Sequence, residues 1–224
     1  MATTLVDVSH VVADGTLTYP GLPAPVITDH LSRVASRSRY APGTEFQIGK
    51  IEMVANTGTY VDAPSHRYAD GADLAQLPLE HVADLDGIVV RCVGRPERAI
   101  DRDAFAGVAV RDRAVLVHTG WDRHWGTAAY GVGHPFLTRA ATVALVEAGA
   151  RLVGIDSLNI DDTADGTRPA HTLLLGAGIP IAEHLCGLER LPDIGFRFFA
   201  VPVKVSGMGS FPVRAFAMVT PPPG

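Results

Sequence analysis

A polar stretch in the first third of the chain, residues 56–66, has the residue types needed for acid–base chemistry or metal binding. It reads Asn56-Thr57-Gly58-Thr59-Tyr60-Val61-Asp62-Ala63-Pro64-Ser65-His66. In an extended chain alternate side chains face the same way, so Asn56, Tyr60 and Asp62 are predicted to share one face. A proline then ends the strand and His66 follows in the turn. On spacing alone, a solvated strand face and a ligand-binding face account for this pattern equally well.

The stretch resembles the signature H-x-G-T-H-x-D-x-P-x-H of the cyclase family, which includes kynurenine formamidase-like enzymes. The matching positions are Gly58, Thr59, Asp62, Pro64 and His66. Further motifs of the family have counterparts in Asp7-Val8-Ser9-His10, Tyr19-Pro20-Gly21, Thr119-Gly120-Trp121, Gly154-Ile155-Asp156-Ser157, His171-Thr172-Leu173-Leu174-Leu175, Glu183-His184-Leu185, Pro202-Val203-Lys204 and Pro212-Val213-Arg214-Ala215. By this resemblance, which runs along most of the chain, the protein is identified as a member of the family.

Two histidines of the signature are replaced, one by Asn56 and one by Tyr60. In the family, these histidines and the aspartate hold a catalytic zinc or manganese ion, and a late histidine and glutamate complete a second site in binuclear members. An amide oxygen is a weak zinc ligand, and a phenol with a pKa of about 10 is a poor one at neutral pH. The resemblance leaves as metal ligands Asp62, His66, His171 and Glu183.

In the family, the histidine that corresponds to His66 is often left free for proton transfer. By this resemblance, the ligands that remain are Asp62, His171 and Glu183. We therefore favour no cofactor, with zinc or manganese as the alternative. No dinucleotide-binding fingerprint is present, because Gly176-Ala177-Gly178 lacks the third glycine.

Without a metal, the remaining groups are suited to acid–base catalysis. His66 exchanges protons near neutral pH, and Asp62 or Glu183 can orient it or act as a second base. Tyr60 and Asn56 offer hydrogen bonds to an enolate or alkoxide oxygen. We therefore predict a cyclase or lyase that catalyses ring closure, dehydration or enolisation of a small carbonyl-containing metabolite. The resemblance points to a polyketide or other natural-product intermediate as substrate.

Two alternatives stay open. The first is a metal-dependent amide or lactone hydrolase of the kynurenine formamidase type, which would use Asp62, His66, His171 and Glu183. The second is a catalytically inactive binding protein, because loss of two ligands is how such a protein would begin. Against it, the replacements Asn56 and Tyr60 are polar, whereas drift in a dead pocket would often leave aliphatic residues.

The elements that position these residues are many and short. Strands are predicted at 46–62, 87–93, 114–118, 152–156, 197–206 and 212–219. A helix is predicted near 137–149, with Thr138 as N-cap and Gly149 as its end. Helix followed directly by strand favours a single mixed α/β domain over residues 1–224. The resemblance adds a β-barrel-like sheet layer with flanking helices.

Composition excludes some other classes. The chain has 224 residues, 47% apolar and 19% charged, with a net charge of −5, so a nucleic-acid partner is not expected. No apolar run reaches the roughly 20 residues that span a bilayer, and the N-terminus has no signal-peptide pattern, so we expect a cytoplasmic protein. Cys92 and Cys186 are expected to be reduced. A homodimer or homotetramer is implied by the resemblance alone.

Several other polar residues are predicted to be structural. Single histidines without ligand spacing are expected to be hydrogen-bonded within the fold, namely His10, His118, His124 and His134. Asp156 ends a buried strand, where a turn bond and a site role are both compatible with the sequence. Asp161 and Asp162 lie in a polar loop and are expected to be solvated.

Overall fold

The computed structural model describes residues 2–220, so Met1 and residues 221–224 of the predicted domain lie outside the described part. In chain order, its elements are β1 (Thr4–Asp7), β2 (Val26–Leu31), α1 (Arg33–Ser36), β3 (Ile48–Glu52), β4 (Tyr60–Asp62), β5 (Leu85–Arg91), β6 (Ala99–Ile100), β7 (Ala114–His118), β8 (Phe136–Leu137), α2 (Arg139–Glu147), β9 (Leu152–Ile155), α3 (Pro169–Gly176), β10 (Ile181–Glu183), β11 (Ile194–Phe199), β12 (Ser210–Pro212) and β13 (Phe216–Val219).

Nine of these strands form one curled sheet in the order β1-β13-β11-β5-β7-β9-β10-β4-β12. The pairs β5–β7, β7–β9 and β9–β10 are parallel, and the pairs on either side are antiparallel. The predicted mixed α/β fold with a barrel-like sheet layer is therefore confirmed. Two small sheets, β2–β3 and β6–β8, lie outside the main sheet.

The centre of the sheet is covered on both faces. Every residue of β7 is buried, as expected for a parallel strand between two apolar layers. Val115 and Val117 pack into the layer that contains Leu145 of α2 and Leu174 of α3. Leu116 faces the opposite layer, which is completed by the antiparallel strands. The alternation of side chains along one strand thus builds both halves of the core.

Helix α2 begins where its sequence predicts. The Thr138 hydroxyl accepts a hydrogen bond from the Ala141 N–H at 3.1 Å, which caps the first turn. The helix ends at Glu147, and Gly149 follows with φ of 77°. The free thiols expected at Cys92 and Cys186 are also found.

The strand predicted at 46–62 is wrong as a single element. The chain forms β3, bends over residues 53–59 and re-enters a strand only at Tyr60. Gly58 makes this bend possible, because its φ is 66° and a Cβ there would lie 2.5 Å from Val12 Cγ2. Asn56 is therefore in the bend and not on a strand.

The C-terminal strands also differ from their predicted ranges. The predicted 197–206 strand begins earlier, as β11 at Ile194, and ends at Phe199. Pro202 supplies no backbone donor for a longer ladder. The predicted 212–219 strand is divided between β12 and β13. No helix within residues 2–220 has the length and apolar character that crossing a bilayer requires.

Candidate active site

Three strands that are far apart in sequence bring the candidate residues together. Strand β4 lies between β10 and β12, with Tyr60 opposite Glu183 and Asp62 opposite Ser210. Directly opposed residues of antiparallel strands point to the same face of the sheet. The strand register therefore sets two side-chain pairs, and all four residues are buried.

The first pair is a phenol on a carboxylate. The Tyr60 O–H donates to Glu183 Oε2 at 2.5 Å, and Glu183 Oε1 accepts the Ile160 N–H at 2.7 Å. Burial and the nearby charges of Glu183 and Asp62 raise the pKa of Tyr60 well above 10, so the phenol stays protonated. Burial also raises the pKa of Glu183, although His171 acts in the opposite direction.

The second pair extends to His66. The Ser210 hydroxyl donates to Asp62 Oδ1 and lies 2.9 Å from His66 Nδ1. His66 ends a short 3-10 helix that begins at Pro64, and its side chain is 35% exposed. A Cβ on Gly209 would lie 2.4 Å from the backbone nitrogen of His66, so only glycine allows this close approach. The contact with Ser210 uses Nδ1 and leaves Nε2 for another partner.

His171 is held by an aspartate that the sequence analysis assigned to solvent. Asp161 is fully buried, and its Oδ2 lies 2.7 Å from His171 Nδ1. Its Oδ1 accepts the Ala170 N–H at 2.6 Å. The prediction that Asp161 is solvated is thus wrong, because the carboxylate binds the first turn of α3. Its neighbour Asp162 keeps partial exposure and pairs with Arg98 at 3.5 Å.

The site contains a group of atoms suited to one divalent cation. His171 Nε2 lies 3.6 Å from Asp62 Oδ2 and 3.8 Å from Glu183 Oε1. Asp62 Oδ2 is buried and has no hydrogen-bond partner among residues 2–220. A carboxylate on the far nitrogen, as Asp161 provides for His171, is typical of metal-bound histidines.

A second arrangement, with His66 in place of Glu183, brings all three ligand atoms close together. One ligand atom each from Asp62, His66 and His171 lie within 4.8 Å of one another. The residues therefore fit a single zinc or manganese ion on Asp62 and His171, with Glu183 or His66 as a third ligand. Asn56 and Tyr60 supply no comparable ligands for a second ion.

The charge of His171 depends on these carboxylates. Burial alone would lower its pKa, but Glu183, Asp161 and Asp62 outweigh burial and raise the pKa of His171 to about 10. The imidazole is therefore a cation at neutral pH, and its charge compensates the buried carboxylates around it.

A cavity of about 370 Å³ opens onto these groups. Its lining includes all the predicted site residues except Asp62, which is reached through His66 and His171. Asn56 lines the cavity from the bend before β4, and its side chain slightly lowers the pKa of Tyr60. The complete lining is Tyr19, Pro20, Gly21, Leu22, Asn56, Tyr60, His66, Arg67, Asn159, Arg168, His171 and Glu183.

Behind Tyr60 lies a cluster of rings outside the cavity. His10 stacks on Trp125 with ring centroids 3.9 Å apart, and Tyr130 Oη lies 2.8 Å from His184 Nδ1. The His184 ring lies 5.2 Å from that of Tyr60. Burial lowers the pKa of His10 to about 4, although Asp122 raises it. The cluster packs behind Tyr60, and burial within it lowers the pKa values of His10 and His184, so both of these histidines are neutral.

The other polar residues have local contacts. His118 Nδ1 lies 2.9 Å from Arg91 Nη1, and His134 Nε2 lies 3.0 Å from the Asp161 carbonyl oxygen. Asp156 accepts hydrogen bonds from the Thr119 N–H and hydroxyl, so it makes the turn bonds that the sequence left open as one of two roles.

The residues that the sequence analysis missed are Asp161, Ser210, Asn159, Arg67 and Arg168. Ser210 follows a glycine and precedes Phe211-Pro212, and this sequence carries no signal for a site. Its role depends on the register of β12 against β4, which links positions 148 residues apart. Such pairing is a property of the tertiary fold and not of a local motif.

Comparisons with known proteins agree with this fold. A sequence profile of a family described as "Putative cyclase" matches residues 6–162. Isatin hydrolase A from Labrenzia aggregata, bound to benzyl benzoate, superposes with a TM-score of 0.83 at 24% identity, covering 98% of this chain and 94% of that one. Isatin hydrolase A from Ralstonia solanacearum gives 0.82 at 23% identity, with 97% and 92% covered.

A third solved structure, described as a potential metal-dependent hydrolase with cyclase activity, has a TM-score of 0.79 at 24% identity. It covers 99% of this chain and 100% of that one. At these identities, the structural likenesses establish the fold.

Proposed function

The chain belongs to the cyclase family, and from that premise we propose that it is a cyclase or lyase acting by acid–base catalysis on a small carbonyl-containing metabolite. We further propose that it works without the metal of the family. A polyketide or other natural-product intermediate is the substrate class that we propose. Ring closure, dehydration and enolisation share one requirement, which is proton transfer beside a carbonyl group whose oxygen is stabilised.

The observation that carries this proposal is the hydrogen bond from the Tyr60 hydroxyl to Glu183 in the wall of the cavity. Tyr60 stands where the family signature has a metal-binding histidine. A phenol held on a buried carboxyl group is a proton relay, because a protonated Glu183 can donate to Tyr60 while Tyr60 donates to the substrate. Burial raises the pKa of Glu183, which favours the protonated state that this relay requires.

The proposed division of roles follows from the surroundings of each group. His66, with Nδ1 on Ser210 and Nε2 free, removes a proton from the carbon beside the substrate carbonyl. The Tyr60–Glu183 pair gives a proton to the carbonyl oxygen as the enol forms. In a dehydration, protonated His66 then returns its proton to the departing hydroxyl, which leaves as water, while the enol oxygen gives its proton back to the Tyr60–Glu183 pair and the carbonyl group re-forms. Asn56 offers an additional amide donor to the same oxygen.

A second candidate function is hydrolysis of an amide or lactone. It is favoured by the unpartnered Asp62 Oδ2 and by His171 Nε2, which lies 3.6 Å from it with Asp161 on the other ring nitrogen. A zinc or manganese ion bound there would lower the pKa of a bound water towards about 7. In this function, His66 keeps its role as the proton-transfer group, and the Arg-lined cavity binds the rest of the substrate.

One experiment separates the two candidates. Purified protein is incubated with hydroxyketones and linear polyketones, and in parallel with cyclic amides and lactones, before and after removal of metal by a chelator. Loss of water or ring closure that survives chelation and falls in Tyr60→Phe and Glu183→Gln supports the acid–base proposal. Ring opening that stops on chelation and returns with zinc or manganese supports the hydrolase. Turnover of neither set favours an inactive binding protein.

A further inference from the structure

Two arginines, Arg67 and Arg168, line the cavity without an ionic partner. Within residues 2–220, neither makes an ion pair, whereas nearby Arg98 pairs with Asp162. Arg67 is exposed, its guanidinium lies 5.3 Å from the centre of the Tyr68 ring, and its Nε reaches only a hydroxyl at 3.4 Å. The cavity therefore contains positive charge that the protein itself does not neutralise.

Arg168 makes only long contacts through its guanidinium. Its Nη1 lies 3.4 Å from Asn159 Oδ1 and 3.5 Å from the Asp162 carbonyl oxygen. Both distances are at the outer limit for a hydrogen bond, and a guanidinium has five N–H donors. The side chain is half-buried, so water satisfies these donors less fully than on an open surface. Most of its capacity to bind an anion is thus unused.

The backbone of Arg168 is also unusual. It has φ of 46° and ψ of 61°, in the left-handed region that favours glycine or asparagine. It precedes Pro169, whose ring further restricts the residue before it. An arginine at such a position costs stability that glycine would not, and strained residues of this kind concentrate at binding sites.

The charges of the cavity lining are not balanced. The carboxylates of Glu183 and Asp62 are compensated by the cationic His171, whose Nε2 lies 3.6 Å from Asp62 Oδ2 and 3.8 Å from Glu183 Oε1. The two arginines supply the only unpaired cationic side chains among the described lining residues. An anionic group entering the cavity is therefore attracted to the arginines.

We propose that the cavity binds a substrate that carries a carboxylate, with Arg168 as its main ligand and Arg67 as a second source of charge. A guanidinium binds a carboxylate through two parallel hydrogen bonds, which fixes orientation as well as location. The uncharged carbonyl end of the substrate then lies towards Tyr60. Only this last point rests on the proposed function, because the anion site is defined by the arginines.

The test uses two probes of the same shape, phenylacetate and phenylacetamide, which differ in charge. Binding to the full chain is measured by calorimetry or ligand-observed NMR, without turnover. The variants are Arg168→Gln, which removes the charge, and Arg168→Gly, which also relieves the backbone strain. Arg39→Gln is the matched control, because Arg39 is exposed, makes no ion pair among the described residues and lies outside the cavity lining.

We expect phenylacetate to bind the native protein about tenfold more tightly than phenylacetamide, as a charge-assisted bidentate contact implies. Both Arg168 variants should lose this selectivity while keeping a cooperative thermal transition, and Arg39→Gln should keep it. Equal binding of the two probes, retained selectivity in Arg168→Gln, or no phenylacetate binding up to roughly 20 mM would overturn the proposal. Failure of the proposed acid–base function is seen in a different measurement. In that case turnover is unaffected by Tyr60→Phe, while the protein still prefers phenylacetate to phenylacetamide.

Discussion

Two histidines share the cavity but differ in their surroundings. His66 is partly exposed and contacts a serine hydroxyl, whereas His171 is enclosed by the carboxylates of Asp161, Asp62 and Glu183. An enclosed cation with a pKa of about 10 does not readily release its proton near neutral pH. Proton transfer is therefore expected at His66, and charge compensation or ligation at His171.

Replacement of His66 tests this division. We expect His66→Ala to lower turnover by a factor of about 10² to 10⁴, because a positioned general base is lost. The melting temperature should change little, since the side chain is partly exposed. His124→Ala, a histidine outside the cavity lining, is the control. Full activity in His66→Ala would transfer the role to the Tyr60–Glu183 pair.

The buried His10 ring makes stability depend on pH. Its pKa is about 4 in the folded protein because burial disfavours its charged form, and about 6.5 in the unfolded chain. Between these values the unfolded chain binds the proton first, so the stability is complete above pH 6.5 and is lost as the pH falls towards 4. The charge of Asp122 raises the pKa of His10 but does not outweigh burial, and His184 belongs to the same cluster of rings.

We expect His10→Phe, which keeps the stacking on Trp125, to flatten this dependence by up to about 1.4 kcal/mol per pH unit. Urea unfolding at several pH values between 4 and 7 measures the slope. The exposed His30 serves as control, as His30→Gln. An unchanged slope in His10→Phe would show that other groups govern acid unfolding.

Four of the predicted site residues were recognisable together because they occupy one contiguous motif, residues 56–66. Asn56, Tyr60 and His66 all reach the cavity as predicted, although Asn56 does so from a bend. Asp161 was not predictable from its polar loop, because its burial depends on where α3 begins. Arg168 gave no signal either, since an unpaired arginine is recognisable only when its neighbours are known.

At the level of elements, the bend before β4 relies on Gly58. We expect Gly58→Ala to destabilise the protein by about 2–4 kcal/mol, because the left-handed backbone and the clash with Val12 both contribute. Gly43→Ala is a matched control, since Gly43 has φ of 84° but no neighbour within 4 Å of a Cβ. Gly43→Ala should therefore lose only the stability that the left-handed backbone costs.

The double variant Gly58→Ala with Val12→Ala separates the two terms. Removal of the valine methyl groups should relieve the clash and leave only the backbone strain of about 1–2 kcal/mol. Chemical denaturation of all the variants gives the free energies of unfolding. Equal losses in Gly58→Ala and Gly43→Ala would mean that the valine simply moves aside.

The same bend determines whether the metal ligands of the family can be restored. We expect Asn56→His with Tyr60→His to bind zinc or manganese, whereas the native protein should retain well below one equivalent after dialysis. Affinity should stay roughly 10- to 100-fold below that of a fully supported site, because the new imidazoles lack partners for their second nitrogens. Titration calorimetry measures it.

The double variant should also impair the native reaction, since it removes the Tyr60 hydroxyl from Glu183. A folded double variant that binds no metal would show that Asn56, placed in a bend, no longer projects towards Asp62. Metal binding with unchanged activity would contradict the role given to Tyr60.

For the whole molecule, the sequence was sufficient to predict the fold class but not the short strands β4, β10 and β12. Strands β5, β7 and β9 consist mainly of apolar residues, and their burial follows from composition. Strands β4, β10 and β12 have three residues each, too few for any periodic pattern. They exist because neighbouring strands supply hydrogen-bond partners.

The predicted homodimer or homotetramer remains a prediction. The β2–β3 pair leaves apolar side chains exposed, among them Ile27 and Ile51, which lie opposite each other in its register. We expect sedimentation to show a mass of at least two chains, with Ile27→Glu plus Ile51→Lys shifting it towards one. A monomeric native protein would contradict the prediction. The cytoplasmic location and the lack of a nucleic-acid partner likewise remain predictions.

The distribution of the site over β4, β10 and β12 has a consequence for synthesis and folding. Tyr60 meets a partner 123 residues later in the chain, and Asp62 meets one 148 residues later. Closing such large loops is slow and is rewarded only when the intervening strands are already packed. A ribosome-bound chain therefore holds the signature motif long before it holds a working pocket. We therefore expect the candidate site to be completed late in folding.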